Sequence, residues 1–181
     1  MLWKKLFKST KSEDFKCPQC GQIHSGWPAL TFDSPSPFYD LTDEEKNNIA
    51  EIGTDFCIIN HPEQTDRFIR VTMTQKVNNS EENLDYGIWV SLSEENFNDY
   101  YNNFDNDTHE MQYFGWICSR IPDYDSCESI PTTVITQKGN QRPKIFPHEN
   151  FNHNLVKDFY EGISAHEAQR RVDEMLNKND G

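Results

Sequence analysis

No apolar run in these 181 residues approaches the roughly 18 to 20 that a helix needs to span a bilayer, and no secretory leader pattern opens the chain. A cytoplasmic protein is expected. Neither a Walker pattern nor GxGxxG occurs, so the common phosphate-cradling loops of nucleotide enzymes are missing. Basic residues are scarce as well: 17 Lys and Arg face 30 Asp and Glu, for a net charge of -13. Nucleic-acid affinity comes largely from Lys and Arg on phosphates, so nucleic acid is excluded as the expected partner and a basic protein suits the surface. Cysteine is sparse and odd in number, five in all, which argues against a secreted disulfide framework. No internal repeat and no low-complexity linker divides the chain.

What is present is aromatic. Hydrophobic residues make up only 35%, but 12 Phe, 7 Tyr and 4 Trp concentrate apolar area into few positions, enough for one sizeable core. The segment 1–16 interleaves Leu2, Trp3, Leu6 and Phe7 with Lys4, Lys5, Lys8 and Lys11. It is basic and amphipathic, too short for a membrane anchor to be expected. Residues 17–40 hold a Cys-rich turn and a proline-punctuated connector from Trp27 to Pro37, and residues 41–181 form the main domain, one folding unit with the turn.

Within that domain Thr42 and Glu45 fit a capping box for a helix running to Gly53. Asp55 to Ile59 and Phe68 to Val77 read as strands, the latter with Ile69, Val71 and Met73 on one face. Leu84 to Leu92 alternates most clearly, with Tyr86, Ile88, Val90 and Leu92 inward and Trp89 and Ser91 the other way. Ser93 caps a helix whose Phe97, Tyr100, Tyr101 and Phe104 form one aromatic face, read as core packing. Gln112 to Ile121 and Thr132 to Gln137 are further strands, and Arg142 to Ile145 is expected at an edge because Pro143 lacks an N–H. Two helices close the chain, Leu155 to Glu161 stopped by Gly162, then Ser164 to Leu176 under a second capping box of Ser164 and Glu167. Strands in a run flanked by helices predict an α+β fold with a largely antiparallel sheet.

Cys17-Pro18-Gln19-Cys20-Gly21 followed by His24 places three zinc-type ligands in one tight turn. Two thiolates at CxxC spacing grip one metal, and Gly21 lets backbone N–H groups approach them. A structural site takes four ligands, and no second CxxC supplies the last. Cys57 is one candidate, although a Cys in an apolar strand is usually a small buried hydrophobe. Cys118 and Cys127 are read as structural. A deaminase pattern is missing, because His61-Pro62-Glu63 follows the couple instead of preceding it. His166-Glu167 begins an HExxH, but position 170 is Arg.

The order CPQCG with His24, then DFCII, RFIR, GIWVSLSEENF, YFGW, RPKI and finally His153-Asn154-Leu155 before Gly162-Ile163 resembles the bacterial family catalogued as domain of unknown function 2199. The resemblance runs from Cys17 to about Leu176, and WVSLSEENF is its most specific part. It implies no activity, since that family has no established catalytic residues. His153, remote in sequence and in a family-like block, becomes the first candidate for the fourth ligand, ahead of Cys57. Asn154 after it departs from the proline of the family pattern.

No catalytic residues are assigned. Outward polar and aromatic groups on the sheet, Arg70, Trp89, Ser91, Trp116 and Arg142, form a candidate binding face. The expected function is that of a binding protein with a structural zinc knuckle and an acidic surface, in one version an immunity-type antagonist of a basic protein. The alternative is a zinc-dependent hydrolase whose metal, held by Cys17, Cys20 and His24 alone, keeps an open position for water.

Overall fold

In a computed structural model, the described residues are 15–16, 23–24, 26–139 and 141–179. Their strands, in chain order, are β1 (Phe15–Lys16), β2 (Ile23–His24), β3 (Leu30–Thr31), β4 (Ala50–Ile52), β5 (Phe56–Asn60), β6 (Thr65–Gln75), β7 (Val77–Asn78), β8 (Leu84–Leu92), β9 (Gln112–Ile117), β10 (Pro131–Ile135), β11 (Lys144–Pro147) and β12 (Ile163–Ser164). The helices are α1 (Ser36–Tyr39), α2 (Asp43–Ile49), α3 (Glu94–Asn102), α4 (Asn154–Glu161) and α5 (Ala165–Asn179). Strands and helices share one mixed architecture, as the alternating and helical periods predict.

The main sheet closes on itself. β6 pairs antiparallel with β8 from Phe68↔Ser91 to Gln75↔Leu84, and β8, β9, β10 and β11 follow as antiparallel neighbours. β11 then returns to β6 in parallel at Lys144↔Thr72, completing a five-stranded barrel. β5 and β4 extend from the free part of β6, and β3 from β8. Alternation sends Ile69, Val71, Met73, Tyr86, Ile88, Val90, Ile117, Val134 and Ile145 into a buried interior. Phe97 of α3, Leu155 of α4 and Val172 of α5 join the same core. Gly115 makes the tight β8–β9 contact feasible, since a Cβ there would lie 2.9 Å from the Ser91 carbonyl oxygen.

A second, smaller core lies outside the barrel wall. Cys57, Ile59, Phe68 and Trp89 are buried there beneath Phe32, Phe38, Leu41 and Ile49. The segment from Phe32 to Ala50 is therefore a cover for one side of the barrel, fixed by the Trp89 Nε1–H bond to the Phe32 carbonyl at 2.9 Å.

Several boundaries differ from expectation. Thr42 and Glu45 form the full capping box, but α2 stops at Ile49 because Ala50–Ile52 pairs with β5, and the Gly53 N–H closes that hairpin on the Phe56 carbonyl. The strand around Pro143 is not an edge: β11 sits between β10 and β6. Proline lacks only the donor, and the Pro143 carbonyl accepts the Thr72 N–H at 2.8 Å. The second capping box is half formed, since the Ser164 hydroxyl accepts the Glu167 N–H while the Glu167 carboxylate turns to Arg170 and Arg171.

Candidate binding face

The residues proposed from sequence fare differently. Trp89 is wholly buried, its indole used by Phe32, so it cannot contact a partner. Arg70 lies over the Trp89 ring with its guanidinium carbon 5.9 Å from the centroid, and Arg142 donates from Nε to Asp55 at 2.6 Å. Ser91 is half-buried between Phe68 and Trp116 in the register. Trp116 alone among the five presents a large apolar surface, 42% exposed.

Trp116 has company that the alternation pattern contained but did not single out. β9 buries Tyr113, Gly115 and Ile117, which turns Phe114 and Trp116 outward; β11 buries Ile145 and turns Phe146 outward. Thr133 on the central strand is the register partner of both Phe114 and Phe146, so the three side chains form a row across β9, β10 and β11. Phe114 meets Trp116 edge-on at 5.1 Å and His148 at 5.6 Å. On the other side Phe146 meets Phe159 at 6.2 Å, and Phe159 meets Tyr160 at 5.0 Å. The Tyr160 hydroxyl donates to the Pro147 carbonyl, which holds α4 against β11.

The result is an aromatic band of two clusters on either side of Thr133, in which Phe114 is 48% exposed, Phe146 41% and Tyr160 42%. Single exposed apolar residues are ordinary on any protein, whereas a contiguous patch marks a docking or ligand surface. Burial pushes the Tyr160 hydroxyl pKa up, and Glu149 adds to the shift, so an acidic group borders the band. Lys144, two residues before Phe146 on the same face, is the cation of β11. Each of β9, β10 and β11 lies between two strands, so a partner here contacts side chains instead of adding a strand.

Cys17 and Cys20 lie outside the described residues, as does the side chain of His24. β1 and β2 pair antiparallel through Phe15↔His24 and Lys16↔Ile23, which brings together the strands that precede and follow the Cys-rich turn. His153 is occupied as the N-cap of α4: its Nδ1 accepts the Leu155 N–H at 3.0 Å and its Nε2 donates to the Asp125 carbonyl at 2.7 Å. That cap was legible only as a polar residue before a helix. Cys57 is fully buried in the second core, and burial pushes its thiol up to about 12. Cys118 and Cys127 are free thiols also pushed up by burial. Among the described residues no group of three or more His, Cys, Asp or Glu is arranged to hold a metal.

The fold and the band together define a small α+β barrel protein with an exposed aromatic face. The chain belongs to the family described as an uncharacterized protein conserved in bacteria (DUF2199), whose model matches residues 16–163. No curated protein and no solved structure matches it. No helix among the described residues is long and apolar enough to cross a membrane.

Proposed function

We propose that this protein is a binding protein whose aromatic band on β9–β11 and α4 docks a basic protein partner, with inhibition of that partner as the concrete biological version. The exposure of Phe114, Trp116, Phe146 and Tyr160 on neighbouring strands and α4 is the observation that carries this reading. Exposed Trp and Tyr anchors dominate binding energy at protein interfaces, where a single one contributes about 2 kcal/mol or more. Charge supplies the partner's sign. Beyond residue 16 there are 12 Lys and Arg against 28 Asp and Glu, a net charge of -16, which favours encounter with a basic surface.

A zinc knuckle at Cys17, Cys20 and His24 is part of the same reading, supported by the CxxC spacing and by the β1–β2 pairing that brackets it. A fourth bond from His153 would require giving up one of its two hydrogen bonds, so its ligand role competes with capping α4. Metal analysis of the purified protein is expected to give one zinc per chain, lost in Cys20→Ser.

The docking claim is tested by parallel affinity purification from a bacterial host with the natural chain and with Phe114→Ser/Trp116→Ser. The expected result is a basic protein retained by the first, lost from the second, and released as salt rises. Equal recovery on both baits contradicts the assignment, and self-association of the purified protein that the double variant abolishes would assign the band to a second copy instead.

A further inference from the structure

A recess of about 290 Å3 lies where the end of α3 meets the β4–β5 turn and the β10–β11 connection, and it shares no residue with the aromatic band. Asp55, Tyr100, Asn103, Phe104, His109 and Arg142 are among its walls. Tyr100 is 7% exposed, its ring held by Phe56, Phe104 and Tyr113 at 5.9, 5.9 and 6.4 Å. Its hydroxyl has no hydrogen-bond partner among the described residues. The hydroxyl sits in the recess wall with no protein group to bond, so an acceptor on a ligand can take the place of water there. Burial pushes that hydroxyl up to about 12, with Asp55 adding to the shift, so it keeps its proton at neutral pH and is available as a donor.

The charged groups beside it are also incompletely matched. Arg142 uses Nε on Asp55 at 2.6 Å, and among the described residues its Nη groups have no partner. Arg70 is near enough for the two guanidinium groups to repel: its pKa is lowered first by burial and then by Arg142. The Arg70 Nε is buried without a hydrogen bond. In a chain with net charge -13, Arg70 and Arg142 meet at this corner, Arg142 paired with Asp55 and Arg70 acted on by both Asp33 and Asp55. A guanidinium edge with two adjacent N–H groups matches a carboxylate in the plane. Asp55, fixed at the Arg142 Nε, repels a dianion about twice as strongly as a monoanion at the same distance.

We propose that this recess binds a small monocarboxylate, its oxygens taking hydrogen bonds from the Arg142 Nη groups and the Tyr100 hydroxyl. Asp55 holds the guanidinium in orientation and Asn103 provides a polar wall for the body of the acid. Tyr100→Phe separates this site from a purely structural arrangement, because it removes a hydroxyl that bonds no other group among the described residues. It is expected to leave thermal stability unchanged or slightly raised, and to weaken binding about tenfold, the usual effect of one lost hydrogen bond to a charged group.

The test titrates the full chain with sodium acetate and, separately, sodium phosphate at constant ionic strength, following thermal stability and amide chemical shifts. Acetate is expected to stabilise the natural chain saturably, with shifts at Asn103 and Arg142, and to act about tenfold more weakly on Tyr100→Phe. Arg142→Gln is expected to abolish the effect; should that variant fail to fold, the Tyr100→Phe comparison decides. No saturation by acetate, preference for phosphate, or equal acetate affinity in Tyr100→Phe overturns the proposal.

Discussion

Arg171 shows how a charge is kept inside this fold. It is 4% exposed, yet it donates to the hydroxyls of Tyr86 and Tyr124 and to the carboxylates of Asp158 and Glu167, and lies 4.8 Å from the Tyr124 ring centre. Removing Arg171 leaves the Tyr86 hydroxyl buried without its partner and takes one donor each from Asp158 and Glu167, which costs about 3 kcal/mol. Arg171→Met is therefore expected to lower the urea midpoint sharply, with an unchanged denaturant slope if the native state stays compact. Glu167 carries a pH signature. Hydrogen bonds from Arg170 and then Arg171 hold its pKa at about 2 against a usual 4.5. Its folded value is the lower one, so its contribution is complete above pH 4.5 and disappears as pH falls from there towards 2. In Glu167→Gln the loss of stability over that window is expected to be shallower than in the natural chain, as urea unfolding at a series of pH values would show.

At the scale of elements, local signals and long-range pairings were not equally readable. Thr42 with Glu45, Ser93 and Gly162 announce helix ends within four residues, because a cap needs only its own first or last turn. Thr42→Ala is expected to cost about 1 kcal/mol in chemical unfolding, the usual value of such a cap. Strand faces were legible too, since alternation on β6, β8 and β9 names the buried side chains directly. Closure was not. The β11–β6 pairing joins residues that no local pattern links, and the missing N–H of Pro143 pointed to an edge although its carbonyl was the group that mattered. Gly115 belongs to the same closure: Gly115→Ala forces a Cβ against the Ser91 carbonyl and is expected to destabilise by about 1–3 kcal/mol, measured by thermal or urea unfolding.

Across the whole molecule, the same barrel wall is covered on one side and bare on another. Trp89 and Trp116 both point outward from the strands, and the sequence offered no ground for separating them. Their fates are set by residues 32–50, which bury Trp89 with Cys57 and Phe68 and leave β9–β11 uncovered. The face proposed for docking is thus the part of the barrel that the chain does not cover for itself. Acidic groups elsewhere give a partner its approach, while the aromatic rings give it a surface to bury.

Hydroxyl-radical footprinting of the protein with its co-purified partner tests this most directly, because Tyr39, 71% exposed and part of the cover over the second core, serves as an internal control. Protection of Phe114, Trp116, Phe146 and Tyr160 with Tyr39 still oxidised is the predicted result. Band residues oxidised as fast in the complex as in the free protein would contradict it.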